Sequence, residues 1–147
     1  MGWELQLRAL LDILIATLLG GLLGFERETK EKPAGFRTNM LIAGAAALLL
    51  ILGKYIAGEM QATLNEESLG VDPTRIIHAI IVGVSFIGAG TIIKSPDDET
   101  IRYLTSAATI LFSAGVGICT GLQLYILAGG VTLLGLIINY VISKIYG

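Results

Sequence analysis

Apolar residues dominate five long stretches of the chain, and polar residues are concentrated in the segments between them. Each stretch holds about 18–21 residues, enough for an α-helix rising about 1.5 Å per residue to cross a hydrocarbon core of about 30 Å. A soluble bundle would need polar helix faces, which these stretches lack. The pattern predicts an all-α polytopic transmembrane helical bundle, a single domain over residues 1–147 with helices at about 7–25, 38–57, 75–93, 103–120 and 122–142.

The ends of the stretches carry local signals for helix boundaries. Thr38 and Asn39 are candidate N-caps of the second helix, and Asp72, which is followed by a proline, is a candidate N-cap of the third. Thr, Ser, Ala and Gly residues dilute the hydrophobicity of the fourth stretch. A bundle of four spans with a partial fourth helix is therefore an alternative.

Composition agrees with a membrane protein. Of 147 residues, 54% are hydrophobic and 15% are charged, with a mean hydropathy of +0.76, whereas soluble chains average about 25% charged residues. The net charge of −2 and the lack of a basic patch give no reason to expect nucleic-acid binding. Cys119 is the only cysteine and fits neither an intrachain disulfide nor a metal-ligand spacing, so no cofactor or metal is expected.

The distribution of Lys and Arg predicts an orientation. The first and third loops are basic, whereas the second loop, residues 58–73, carries four acidic residues and no Lys or Arg. The positive-inside rule then places the N-terminus outside and the C-terminus in the cytoplasm. Arg8 and Arg75 lie on the wrong side of this scheme.

Two groups of ionisable residues lie near the predicted outer surface, and such groups are costly in a membrane and tend to be functional. Asp12 either pairs with Arg8, one helical turn earlier, or has a cation or proton role. Arg75 and His78 share a helix face and, with Asp72, form either an acid–base cluster or ordinary interfacial residues.

Small residues recur every four positions on two helices: Ala16, Gly20 and Gly24 on the first, and Thr105, Thr109, Ser113, Gly117 and Gly121 on the fourth. In lipid, such residues let helix backbones approach closely. The repeats favour packing within one protomer, with a self-association face or a polar ion track along the Thr/Ser stripe as alternatives. The same small-residue faces also lead us to predict a homodimer.

A cluster of charged residues surrounds the first loop. Glu26, Arg27 and Glu28 end the first helix, and Arg37 enters the second, with Arg102 on the neighbouring loop. A short hairpin would bring these groups together, either as a partly buried network or as ordinary interfacial anchors.

Four ordered segments carry a family resemblance: G-G-L-L-G-F-E-R-E at 20–28, K-P-A-G-F-R-T-N-M-L at 32–41, D-P-T-R-I at 72–76 and F-I-G-A-G-T-I-I, including Thr91, at 86–93. Together they resemble the MgtC/SapB family of bacterial inner-membrane proteins. One departure is Tyr103, where the family usually has glycine. Many members carry a soluble C-terminal domain, and the sequence ends at Gly147, so we expect either a membrane-only form or a truncated chain.

The resemblance implies a multi-pass inner-membrane protein linked to growth under magnesium limitation and to virulence, without an established reaction. Partner membrane proteins such as the F-type ATP synthase are one suggestion for this family. We predict a non-enzymatic modulator of membrane partners or ion homeostasis, and the alternative is a transporter or channel for a cation or small solute. The candidate functional residues are Asp12, Glu26, Arg27, Glu28, Arg37, Thr38, Asn39, Asp72, Arg75, His78, Thr91, Arg102, Thr105 and Thr109.

Overall fold

The chain folds as an all-α membrane bundle, as its sequence predicts. The computed structural model describes residues 2–63, 74–94 and 101–142. Within these residues there are five α-helices: α1 (Trp3–Thr29), α2 (Phe36–Thr63), α3 (Thr74–Thr91), α4 (Leu104–Gly121) and α5 (Tyr125–Ile137), the last continuing as a π-helical turn over Ile138–Ile142.

Four of the five helices, α1 to α4, are long and apolar enough to cross a membrane, and α5 is apolar but shorter. α1 and α2 extend beyond both of their predicted ends, to 27 and 28 residues. α5 begins three residues later than predicted because residues 122–124 form the turn from α4. α3 and α4 are joined through a two-residue antiparallel strand pair, β1 (Ile93–Lys94) with β2 (Ile101–Arg102), which the hydrophobic pattern does not predict.

α4 lies at the centre of the bundle and contacts each of the other four helices. Half of its apolar span is buried, compared with a third or less for α1, α2 and α3. Its low hydrophobicity therefore has a packing cause, since small and hydroxyl-bearing residues face neighbouring helices rather than lipid. With 18 residues α4 is long enough to span, so the partial-helix alternative finds no support.

The glycines of α1 and α4 permit close approach to α2. A Cβ atom on Gly20 would lie 2.5 Å from the backbone oxygen of Asn39, and a Cβ on Gly117 would collide with the backbone oxygen of Ala43. The small-residue repeats thus pack helices within one protomer. A homodimer stays a prediction, but these faces are not free to form it.

Large apolar side chains cover the outside of the bundle. Ile126 is 95% exposed and Phe86 is 83% exposed, on helices whose other faces pack inward. Lipid is as apolar as these side chains, so the arrangement that would be unfavourable in water is expected of a membrane protein.

Candidate functional site at the charged end of the bundle

The end of the bundle that contains residues 26–39, 91–94 and 101–106 is called the charged end here. It is formed by the last turn of α1, the turn into α2, the first turn of α2, the strand pair and the start of α4. The other end of the bundle contains the starts of α1 and α3 and the turn from α4 to α5.

Glu26 and Arg27 are buried ion-pair partners in the last turn of α1, with 1% and 2% exposure. Glu26 Oε2 lies 2.5 Å from Arg27 Nε, and Glu26 Oε1 lies 2.7 Å from the Nζ of Lys30, one turn further along. Removing a charge from water costs several kcal/mol unless an opposite charge compensates it. For Glu26 and Arg27 the structure favours a buried network over surface anchoring, whereas Arg37 and Arg102 lie outside it.

Glu28 caps the N-terminus of α2. Its Oε2 accepts a hydrogen bond from the Phe36 backbone N–H at 2.9 Å, and a negative charge at a helix N-terminus is also favoured by the helix dipole. The prediction that Thr38 and Asn39 cap this helix is wrong, because α2 begins at Phe36 and both residues lie inside it.

Asn39 connects the turn between α1 and α2 to the central helix, α4. Its side chain is fully buried, and its Nδ2 donates to the backbone oxygens of Ala34 and Gly35 at 2.5 and 2.9 Å. Its Oδ1 accepts a hydrogen bond from Ser113 Oγ on α4 at 2.7 Å. Asn39 therefore connects three elements, and its amide is fully occupied by protein partners.

The hydroxyl groups of the Thr/Ser stripe on α4 are bonded within the protein. Thr109 Oγ1 donates to the backbone oxygen of Thr105 at 2.9 Å, and Ser113 donates to Asn39. Thr120 Oγ1 likewise lies 2.8 Å from the backbone oxygen of Gly117. These bonds favour packing over an ion track, although Thr105 itself is exposed. The buried Ser106 Oγ has no hydrogen-bond partner in the described ranges.

The remaining candidates of the charged end lie closer to its surface. Arg37 is exposed and makes no ion pair or hydrogen bond within residues 2–63, 74–94 and 101–142, and Arg102 is exposed on β2. Thr38 is half-buried. Thr91 donates to the backbone oxygen of Gly88 at 2.7 Å and borders an open cavity of about 590 Å³, which Lys32 borders from the α1–α2 turn.

Asp12 lies at the opposite end and has a different partner from the predicted one. It is 6% exposed, and its Oδ1 accepts a hydrogen bond from the hydroxyl of Tyr125 at 2.6 Å. The predicted pair with Arg8 is wrong, since Arg8 is exposed and stays unpaired in the part of the chain described here. A hydrated arginine avoids the desolvation that pairing with a buried carboxylate would require.

Arg75 and His78 are exposed in the first two turns of α3. Asp72, the proposed third member of their cluster and the candidate cap of α3, lies outside the described residues. The acid–base cluster therefore stays a prediction. No group of three or more His, Cys, Asp and Glu side chains is arranged to hold a metal ion in residues 2–63, 74–94 and 101–142.

The structure thus brings Glu26, Arg27, Glu28 and Asn39 together and leaves Asp12, Arg75 and His78 at the other end. Sequence reasoning missed Tyr125 and Asn139 as partners within the bundle. Both are polar residues in an otherwise apolar stretch, and this could have identified them. The sequence places Ser113 in the Thr/Ser stripe but does not predict its hydrogen bond to Asn39.

Comparison with known proteins decides the family. The model of the MgtC family matches residues 13–147. The chain belongs to the MgtC family. The predicted resemblance is confirmed, and no solved structure matches the chain.

Curated relatives of this MgtC-family chain come from several bacteria. SapB of Bacillus subtilis is 38% identical over 125 residues, 85% of the chain and 52% of that protein. A protein of Escherichia coli K12 named putative magnesium transporter YhiD is 35% identical over 116 residues, 79% of the chain and 52% of that protein. MgtC of Brucella abortus is 39% identical over 106 residues, 72% of the chain and 39% of that protein. The chain spans about half the length, or less, of these relatives.

Proposed function

We propose that this MgtC-family chain is a non-enzymatic modulator of ion homeostasis in the bacterial inner membrane, which acts by docking a partner membrane protein at the charged end. The observation that carries the proposal is Arg37, an exposed guanidinium on the first turn of α2 that makes no ion pair or hydrogen bond with the residues the structure describes. Guanidinium groups bind carboxylates in a bidentate geometry and are enriched in protein interfaces.

The surroundings of Arg37 support a docking role because they hold its helix end in place. The carboxylate of Glu28 caps this end of α2, and Asn39 ties it to α4. A group presented on a pre-ordered element loses little conformational entropy when a partner binds. The names MgtC and putative magnesium transporter YhiD among the relatives support magnesium as the ion concerned. The F-type ATP synthase is one candidate partner.

Affinity purification from native membranes tests the docking role. We expect Arg37→Ala to lose a membrane partner that co-purifies with the wild type, and to impair growth at low magnesium. Arg8→Ala is the matched control, since it removes an exposed arginine at the opposite end. An unchanged set of partners together with unchanged growth for Arg37→Ala would contradict the proposal.

The second candidate function is cation transport, and one observation favours it. Glu26 is a buried carboxylate held between Arg27 and Lys30, and buried ionisable groups in membrane proteins often mark proton or ion pathways. Uptake of Mg²⁺ into proteoliposomes should then fall in Glu26→Gln and persist in Glu31→Gln, which changes an exposed acid of the same end. Wild-type flux no greater than that of empty vesicles counts against transport.

A further inference from the structure

A cleft of about 180 Å³ lies between α1, α4 and α5, apart from the charged groups described above. Its walls are mostly apolar and include Leu23, Phe112 and Ile138, and its polar lining residues are Thr105, Thr109 and Asn139. Pockets that bind small molecules in proteins have this composition, with mostly apolar walls and a few convergent polar groups.

Two features of α5 shape the cleft. Gly135 lines it without a side chain, and a Cβ atom there would lie 2.5 Å from Leu23 Cδ2 and 3.1 Å from the ring of Phe112. Immediately afterwards the helix becomes π-helical over Ile138–Ile142. Asn139 in this turn is only 5% exposed, whereas the preceding residue, Ile138, is 46% exposed.

The amide of Asn139 has unused hydrogen-bonding capacity. Its Nδ2 is 3.5 Å from Thr109 Oγ1, a long bond, and the hydroxyl hydrogen of Thr109 is already donated to the backbone oxygen of Thr105. The Oδ1 of Asn139 accepts no hydrogen bond from the residues that the structure describes. This oxygen is therefore available to a donor that enters the cleft.

We propose that this cleft binds a small amphiphile, a single aromatic ring or short aliphatic chain that carries one hydroxyl or amine donor for Asn139 Oδ1. An apolar protein cavity of about 150 Å³ accommodates benzene, so the cleft has room for a ring with one short polar substituent. The ring of Phe112 offers it an aromatic contact. Ala108, Phe112 and Ile138 are also exposed on the lipid-facing surface, so the ligand enters sideways from the bilayer.

Fluorine NMR on the full chain in lipid nanodiscs tests the proposal with two matched probes. 4-Fluorobenzyl alcohol carries the donor, and 4-fluorotoluene has a similar ring without one. We expect saturable binding of the alcohol, with an affinity about tenfold higher than that of the toluene, the effect of one hydrogen bond. Equal affinities for the two probes would overturn the role of Asn139.

Three variants locate the binding site. Ala108→Phe fills the cleft from an exposed position of α4 and should abolish saturable binding, whereas Ala79→Phe, on the exposed surface of α3, should leave it unchanged. Asn139→Leu should reduce the affinity for the alcohol to that for the toluene. Signals that are the same in Ala108→Phe, in the wild type and in empty nanodiscs would show partition into lipid and overturn the proposal. Because position 108 is exposed, this test does not depend on whether Asn139→Leu folds.

Discussion

At the scale of single residues, the sequence identifies Asp12 as unusual but does not reveal its partner. A carboxylate in an apolar helix requires compensation, and Arg8 lies at the helical spacing that brings two side chains together. The actual partner, Tyr125, is 113 positions away in the chain. Its proximity depends on how α5 returns along α1, which local spacing does not determine.

The hydrogen bond between Tyr125 and Asp12 gives a direct prediction. Tyr125→Phe should lower the free energy of unfolding by about 1 kcal/mol, because the buried carboxylate loses its donor while the ring remains. Arg8→Ala should change it by less than about 0.5 kcal/mol. Reversible unfolding in mixed detergent micelles, followed by circular dichroism, compares the two variants. A larger loss of unfolding free energy in Arg8→Ala than in Tyr125→Phe would support the predicted ion pair between Arg8 and Asp12 instead.

Tyr103 stands where the family resemblance leads us to expect glycine, and its backbone conformation suits glycine. Its φ is 66°, in the left-handed region, immediately before α4 begins. That conformation costs an ordinary residue roughly 1–2 kcal/mol, whereas glycine adopts it freely. The sequence motif identifies position 103 as unusual, and the left-handed backbone conformation gives the physical reason.

We therefore predict that Tyr103→Gly stabilises the protein by about 1 kcal/mol, through relief of the left-handed backbone. Leu104→Gly is the control, because that residue is helical and glycine is about 1 kcal/mol less favourable in a helix than alanine. The midpoint of thermal unfolding should rise for the first variant and fall for the second. A fall for both would show that the tyrosine side chain matters more than the backbone.

At the scale of elements, hydrophobicity identifies the helices but misjudges the importance of α4. A helix that faces lipid is strongly apolar, whereas a helix surrounded by other helices needs small residues to let them approach. The reduced hydrophobicity of α4, which suggested a partial span, is thus a consequence of its central position in the bundle. The repeat at intervals of four did indicate this packing, and the contact between Gly117 and Ala43 confirms it.

Two glycines of α4 provide a matched test of that packing. Gly117→Ala should destabilise the bundle by about 1–3 kcal/mol, since its methyl group would displace the backbone of α2. Gly115→Ala has open space around it and should be neutral or slightly stabilising. Thermal unfolding of both variants in one detergent provides the comparison. Similar losses for both would exclude tight contact between α4 and α2.

The sequence predicted which charged residues lie together at the candidate site, but it did not predict which hydrogen bonds they make. Charged residues on both sides of a short turn must lie close together, so the grouping of Glu26, Arg27 and Glu28 followed from the sequence. Which residue caps α2 did not follow, because Thr38 and Glu28 are both suitable acceptors and the helix start decides between them. That start is fixed by a contact across the turn, not by a local motif.

At the scale of the whole molecule, the distribution of basic residues still predicts an orientation. In a Cys119→Ser background, Gly2→Cys should react with a membrane-impermeant maleimide in intact spheroplasts. Lys32→Cys, at the charged end, should react only after lysis, because the positive-inside rule places that end in the cytoplasm. Both positions are exposed, so access depends on the membrane. The reverse labelling pattern would establish the opposite orientation.

The unequal lengths of the helices have a consequence at the membrane surface. α1, with 27 residues, is about 40 Å long, whereas α4, with 18, is about 27 Å long. This difference is not a hydrophobic mismatch, because both ends of α1 are charged, with Glu4 and Arg8 near its start and Glu26, Arg27 and Glu28 in its last turn. The apolar part of α1 is therefore close in length to α4, and its additional turns extend past the hydrocarbon core into the headgroup layer. One helix of the bundle thus rises above its central neighbour at the membrane surface, and it carries charged residues there.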